Sequence, residues 1–380
     1  MRAQHVAALD GMRAVAMLSV FAFHYGLPEP KVLDWGVFGY RVVAQLDLGV
    51  EIFFVLSGLL VFRPFAAAAL GDAGAPRLWE YAVRRAARIY PAYWLAFGVL
   101  LALGEIQMHG GVLHFGAHLA LVQGYFTSAT NDAWDGIQQA WTLVVEVSFY
   151  VMVPLLFVLL RGRSLRIHLS VLAALTTVGY VLRITTASGP YGGAIGRAIG
   201  LLPLALAALA PGMALAVLDV ARPEALHALA RRRWVWWAIA ASAFAALVWF
   251  GAPPRYTAWR TETGPELWHR MLSPVIAVCL VVPAAFGRPP GHERRGLAHP
   301  IMVWLGTVSY GAYLWHQSLL LVTPGDTVRL DPYAMRDWSL GAVLLAGAGI
   351  LALSLAIAAA SWYALERPVQ QLARRFARRH

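Results

Sequence analysis

Apolar residues dominate the chain in long stretches, and short arginine-rich segments separate these stretches. A helix needs about 20 apolar residues to cross about 30 Å of hydrocarbon. Stretches of that length begin near residues 8, 48, 89, 138, 168, 198, 234, 271, 299 and 338. The pattern therefore predicts an all-α, polytopic membrane protein with about ten transmembrane helices.

A further apolar stretch, residues 112–127, is shorter and rich in glycine and histidine. We interpret it as a re-entrant or interfacial segment that does not cross the bilayer. With this assignment most of the 31 Lys and Arg residues fall on one side, which the positive-inside rule makes cytoplasmic. Both termini are then expected in the cytoplasm. The Ala- and Arg-rich, Lys-poor composition suggests a bacterial inner membrane.

The composition excludes an ordinary soluble domain. Of the 380 residues, 59% are hydrophobic and 13% are charged, against about 25% charged in an average soluble domain. The net charge of +11 is spread over short loops, so it does not indicate a nucleic-acid partner. The single cysteine, Cys279, excludes an internal disulfide and is interpreted as a packing residue.

The first apolar helix carries two side chains that a lipid-facing helix lacks. Residues 9–26 read LDGMRAVAMLSVFAFHYG, with Arg13 near the start and His24 near the end. A spacing of eleven residues places both on one helix face, about 16 Å apart along the axis. Ionisable groups inside a membrane usually mark a pathway or a reaction site. The alternative is that Arg13 reaches the headgroups while His24 caps the other end.

Two further features of the sequence could belong to the same site. Arg85 and Arg88 share a helix face, with Arg84 beside them, and form a group of donors where a cytoplasmic anion would dock. The same cluster is also a normal positive-inside signal. Ser57, in the second apolar stretch, lies beside a glycine, and helix packing explains it better than catalysis.

Glu146 lies within an apolar helix, in the motif AWTLVVEVSFY. Thr142 and Tyr150 flank it at four-residue spacing, so the three side chains form a polar stripe. A buried carboxylate needs a partner, and Arg13 or His24 is the predicted one. The alternative is a hydrogen bond between helices without chemistry.

Two other groups of histidines are candidates for a functional role. His109, His114 and His118 precede the Glu146 helix, but no acidic residue or cysteine has the spacing to complete a metal site, so no metal is predicted. Tyr313 and His316 belong to the motif VSYGAYLWH, where His316 is either a second active-site residue or a polar anchor.

The remaining assignments concern the later spans and the tail. Arg183 is interpreted as an interfacial residue. Residues 1–366 are predicted to form one transmembrane domain, and residues 367–380 a basic amphipathic cytoplasmic tail on the inner leaflet.

Taken together, these stretches resemble the acyltransferase-3 family of integral-membrane O-acyltransferases. The resemblance rests on the ordered set LDGMRAVAMLSVFAFH, GVEIFFVLSG, RRAARIYPAYW, AWTLVVEVSFY and VSYGAYLWH. It implies a ten-helix core, an acyl-CoA donor entering from the cytoplasm, and the stand-alone form of the family. Thr142 stands where the family commonly has serine, and Glu51 where it commonly has aspartate. The residues that the resemblance makes essential are Arg13, His24, Arg85, Arg88 and Glu146.

The resulting hypothesis is acyl transfer, with acetyl-CoA as the expected donor and no permanently bound cofactor. His24 is the general base and Glu146 orients its ring, while Arg85 and Arg88, with Arg84 and Arg13, bind the donor. Candidate supporting residues are Ser57, Trp141, Thr142, Tyr150, Tyr313 and His316. The acceptor is a hydroxyl group of a glycan or of a sugar-bearing product such as a macrolide. The alternative function is a secondary transporter, because intramembrane His, Glu and Arg also form proton relays.

Overall fold

The computed structural model describes residues 3–26, 36–71, 73–106, 108, 111–125, 135–186, 201–251, 263–287, 295–320 and 338–377. These residues contain α-helices and short turns of other helix types, without a β-strand. In chain order the α-helices are α1 (Ala3–Gly26), α2 (Gly36–Val43), α3 (Gly49–Ala69), α4 (Leu78–Ala102), α5 (Val112–Leu119), α6 (Trp141–Leu160), α7 (Leu165–Thr185), α8 (Leu201–Ala221), α9 (Pro223–Arg231), α10 (Arg233–Phe250), α11 (Thr263–Phe286), α12 (Pro300–Leu320), α13 (Leu340–Ser361) and α14 (Arg367–Ala377).

Each predicted span corresponds to one of the long helices. Within the described ranges, eight helical runs are long and apolar enough to cross a membrane. The other two long helices, α4 and α12, have 25 and 21 residues, and polar side chains lower their hydropathy. The all-helical, multi-pass prediction is confirmed, while the number of crossings and the side of the termini stay predictions.

The segment predicted not to cross the membrane contains α5 and a short 3-10 helix, Gln123–Tyr125. The eight residues of α5 extend for about 12 Å, less than half of a hydrocarbon core. Tyr90, Tyr93 and Trp94 of α4 donate hydrogen bonds to consecutive carbonyl groups at residues 118–120. These bonds dock the end of α5 against α4. Residues 126 and 127 lie outside the described part.

Close backbone contact holds the centre of the bundle together. Helix α3 packs against α8 where Gly58 and Gly212 face each other's helices. A methyl group on Gly58 would overlap the carbonyl oxygen of Leu209, and one on Gly212 would overlap that of Val55. Small residues at such a crossing let helix backbones approach, which is the main source of packing between helices in lipid. Cys279 is buried in α11 among apolar residues, as predicted for a packing residue.

The C-terminal segment continues from α13 through a π-helical turn, Trp362–Glu366, into α14. Helix α14 packs against α4, and the ring of Phe376 meets the ring of Trp79 with centroids 6.3 Å apart. The predicted amphipathic tail is therefore helical and contacts the arginine-bearing helix. Its position on the inner leaflet stays a prediction, as does the domain boundary at residue 366.

We expect the substitution Gly58→Ala to destabilise the protein by about 1–3 kcal/mol, because the added methyl group forces α3 away from α8. The free energy of unfolding in detergent measures this. The matched control is Gly98→Ala in α4, where a methyl group would meet no atom within 4 Å. Equal stability of the two variants would contradict the close helix crossing.

Candidate active site

A cavity lies between six helices, α1, α3, α4, α6, α8 and α12. It has about 890 Å³ of space free of atoms, part of it open to the outside. Its polar lining comes from arginine, glutamate, serine, threonine and tyrosine side chains: Arg13, Ser57, Arg85, Arg88, Thr142, Glu146, Ser309, Tyr310 and Tyr313. Its apolar lining comes mainly from α3, through Val50, Phe53, Phe54, Leu60 and Val61. The mixed polar and apolar lining is typical of a small-molecule site.

Two guanidinium groups of α4 line this cavity without a direct ion pair in the described part of the chain, although the Glu366 carboxylate lies within electrostatic range of Arg88. Neither Arg85 nor Arg88 forms an ion pair with any residue that the structure describes. Arg85 lies over the rings of Tyr81 and Tyr150, with 5.6 and 5.3 Å from its Cζ atom to the ring centroids. The Nε atom of Arg85 is buried and lacks a hydrogen-bond partner. An anionic ligand would satisfy both groups.

Two other charged residues of the cavity have partners. Arg13 forms an ion pair with Asp10, with 2.8 Å between Nη1 and Oδ1. Glu146 accepts a hydrogen bond from the Tyr150 hydroxyl and lies within electrostatic range of Arg13. Two members of the predicted stripe on α6, Glu146 and Tyr150, are thus joined by a hydrogen bond, and Arg13 faces the same cavity.

The side of the cavity towards α12 is closed by a hydroxyl cluster. The Tyr313 hydroxyl is 3.1 Å from Thr142 Oγ1 and donates to the Gln139 carbonyl oxygen at 3.2 Å. On its other side the ring of Tyr313 contacts that of His316, with centroids 5.6 Å apart. Tyr313 therefore connects the cavity with His316.

His24 does not line the cavity. Its ring lies beside that of His316, with 3.1 Å between His24 Nδ1 and His316 Nε2. His24 Nδ1 is also 3.0 Å from the Val20 carbonyl oxygen. The expected contact between His24 and Glu146 is not found among the described residues. His24 lies beside His316, and Glu146 binds the Tyr150 hydroxyl. His24 is eleven residues after Arg13, a rise of about 16 Å along α1. Arg13 therefore lines the cavity while His24 lies beyond its lining.

The remaining predicted site residues divide into two groups. Ser57 lines the cavity. Trp141 begins α6, is 44% exposed and contacts the ring of Phe54. Arg84 points away from the cavity, because its exposed side chain pairs with Glu80 at 3.0 Å.

Several residues that line the cavity were not predicted from the sequence. Phe53 precedes Ser57 by four residues, so helical spacing could have placed both on one face. Tyr310 lines the cavity and donates to the Ile89 carbonyl oxygen at 2.8 Å. Nothing in the sequence indicated that Leu209 of α8 lines the cavity, because an apolar residue in an apolar helix does not show which residues it contacts.

Arg183, which on the sequence could simply be an interfacial residue, is buried inside the helix bundle. Arg183 is 7% exposed and forms an ion pair with Glu51, with 2.8 Å between Nη2 and Oε1. It also donates to the Leu204 and Arg270 carbonyl oxygens at 2.7 and 3.2 Å. The sequence showed the charge but not the carboxylate on α3 that draws it into the bundle.

One of the histidines of α5, His114, binds a carboxylate. His114 Nε2 lies 3.1 Å from Asp135 Oδ2, and the rings of His114 and His118 meet with centroids 4.5 Å apart. Burial lowers the pKa of His118. The described residues include no group of three His, Cys, Asp or Glu placed to hold a metal ion. His109 lies outside them.

A family model described as an acyltransferase domain matches residues 6–363. The chain is 24% identical over 341 residues to the peptidoglycan O-acetyltransferase OatA of Listeria monocytogenes, covering 84% of this chain and 50% of that protein. It is 26% identical over 369 residues to the acyltransferase MdmB of Streptomyces mycarofaciens, covering 93% of this chain and 87% of that protein. The chain spans about half the length of the peptidoglycan relatives that it matches. No solved structure matches it.

Removing the charge of Arg183 should destabilise the fold strongly. We expect Arg183→Leu to lower the free energy of unfolding in detergent by about 3 kcal/mol, because Glu51 loses its partner in a buried site. The double variant with Glu51→Leu should recover part of this loss. As a control, Arg84→Leu breaks an exposed pair and should change stability by about 0.5 kcal/mol or less. A loss for Arg183→Leu as small as the control's would show that the buried pair is not needed.

Proposed function

The chain belongs to the acyltransferase-3 family, and we propose that it transfers an acyl group from acyl-CoA to a hydroxyl group of a carbohydrate. The cavity carries the proposal. It combines two guanidinium groups that form no direct ion pair with the described residues, a carboxylate and an apolar wall. Coenzyme A thioesters have the complementary parts, since their phosphates are anionic and their acyl chains are apolar.

Arg85 and Arg88 bind the donor phosphates in this proposal. Their guanidinium groups offer planar forks of N–H donors, which match phosphate oxygens. Arg13 lies on the facing helix and steadies the part of the donor nearest the thioester. Arg84 is left out of the donor site, because its side chain already binds Glu80 and is exposed.

His24 is the proposed general base. Its Nε2 atom takes the proton of the acceptor hydroxyl while the hydroxyl oxygen attacks the thioester carbonyl. The new C–O bond forms, the C–S bond breaks, and the leaving thiolate takes the proton from His24. Since Tyr313 stands between the cavity and the histidines, the thioester reaches His24 when the Tyr313 side chain leaves Thr142.

Glu146 acts in the donor cavity and not on the His24 ring. Its carboxylate, held by the Tyr150 hydroxyl, balances part of the positive charge of three arginines. Without a negative group, three close guanidinium groups in a low-dielectric site would repel each other. Glu146 therefore keeps the arginine side chains directed into the cavity when no donor is bound.

The acceptor is proposed to be a carbohydrate hydroxyl, supported by the family and by the similarity to the peptidoglycan O-acetyltransferase of Listeria monocytogenes. Acetyl and short acyl chains are the first donors to test, with a cell-wall glycan and a sugar-bearing macrolide as acceptors. Release of free thiol that depends on the acceptor distinguishes an enzyme from a transporter, which would release none.

We expect His24→Ala to lower the rate of acyl transfer by at least about 100-fold, because the acceptor hydroxyl loses its base. Thiol release and acylated product measure the rate in purified protein. Affinity for acyl-CoA should stay unchanged, since His24 does not line the cavity. The control is His168→Ala, at a buried histidine of α7 outside the cavity. Full activity of His24→Ala would remove the imidazole from the reaction.

We expect the double variant Arg85→Gln, Arg88→Gln to weaken acyl-CoA binding by at least about 100-fold, because each charge-assisted hydrogen bond contributes about 1.5–3 kcal/mol. Calorimetry with coenzyme A measures the affinity. Arg84→Gln is the matched control on the same helix and should bind normally. Unchanged affinity in the double variant would refute the phosphate assignment.

A further inference from the structure

We infer that His316 is the positioning residue for His24, in the role that the sequence assigned to Glu146. This inference rests on the proposed function, because it concerns the same base. The two rings come from α1 and α12, and their centroids are 5.0 Å apart. His316 is 2% exposed, so its ring is held by protein on nearly all sides.

The hydrogen bonds of the two rings fix their tautomers. His24 Nδ1 lies 3.0 Å from the Val20 carbonyl oxygen, and His316 Nδ1 lies 2.8 Å from the Tyr313 carbonyl oxygen. A carbonyl oxygen accepts hydrogen bonds and cannot donate. In the neutral state both Nδ1 atoms therefore carry the proton, and both Nε2 atoms carry a lone pair.

This assignment gives the contact between the rings a direction. The distance between His24 Nδ1 and His316 Nε2 is 3.1 Å. Since His24 Nδ1 has one proton and lies close to both groups, this N–H group donates a shared hydrogen bond to the Val20 carbonyl oxygen and to His316 Nε2. His24 Nε2 then keeps the lone pair that a general base needs. It has no hydrogen-bond partner among the described residues.

The same contact stabilises the charged form of His24. When Nε2 takes the acceptor proton, the Nδ1–H group becomes a stronger donor, and His316 Nε2 is already placed to accept from it. A carboxylate has this function in a Ser-His-Asp triad. A neutral imidazole performs it without burying a negative charge beside the resting ring, which would be costly in this apolar region.

His316 is itself held from two directions. Its Nδ1–H group binds the Tyr313 carbonyl oxygen one turn earlier in α12. The amide of Gln139 donates to the Leu314 carbonyl oxygen at 2.6 Å, which fixes the same turn of α12 from the segment before α6. The position of the His24 ring thus depends on a chain of contacts that starts next to the donor cavity.

The experiment compares His316→Phe with His316→Gln in the purified full chain, using acetyl-CoA and a glycan acceptor that the unmodified protein acylates. Phenylalanine keeps the ring shape and removes the acceptor atom. Glutamine places an amide oxygen near the position of Nε2, so it can still accept from His24. We expect His316→Phe to lower kcat about 100-fold with unchanged KM for acetyl-CoA, and His316→Gln to recover at least about 10-fold of that loss.

The control is His168→Phe, because His168 is also buried and its Nδ1 atom also lies 3.0 Å from the carbonyl oxygen four residues earlier. It should keep normal kcat. Normal kcat in His316→Phe, or an equal loss in the phenylalanine and glutamine variants, would overturn the inference. A change in KM alone would overturn it as well. If the unmodified protein transfers no acyl group to any acceptor tested, the proposed function fails first.

Discussion

Burying guanidinium groups among apolar helices is the constraint on which the rest of the structure depends. A charged side chain inside a bilayer must face protein or water, since hydrocarbon cannot solvate it. Arg13, Arg85 and Arg88 meet this requirement by lining one cavity, together with Glu146. Arg183 meets it through Glu51 on another face of α3. The helices that carry these charges, α1, α4 and α7, therefore place their charged side chains against α3 or the cavity beside it.

Tyrosine side chains near the cavity form hydrogen bonds between helices. The Tyr81 hydroxyl of α4 donates to the Tyr150 carbonyl oxygen of α6 at 3.1 Å, and the Tyr310 hydroxyl of α12 donates to the Ile89 carbonyl oxygen of α4. Each bond satisfies a phenolic hydroxyl that would be costly to bury alone. The polar residues that distinguish α4 and α12 from ordinary membrane spans therefore also join α4 to α6 and to α12.

The sequence predicted the helices, the face of α1 that bears Arg13, and the stripe on α6. These follow from spacing within one helix, which the periodicity of 3.6 residues determines. It could not predict that His24 binds His316, because the two residues are 292 positions apart and nothing in either segment specifies the other. Nor could it predict that Glu146 bonds to Tyr150 of its own helix, so the expected contact of Glu146 with the His24 ring is not found among the described residues.

The separation of the cavity from the two histidines has a chemical consequence under the proposed function. A thioester beside a general base and water would be hydrolysed, which wastes the donor. The hydroxyl cluster of Tyr313, Thr142 and Gln139 stands between the cavity and His316. Under the proposed function, the donor can therefore occupy its arginine site while Tyr313 lies between it and His316. Transfer then requires the Tyr313 hydroxyl to leave its hydrogen bonds with Thr142 and Gln139.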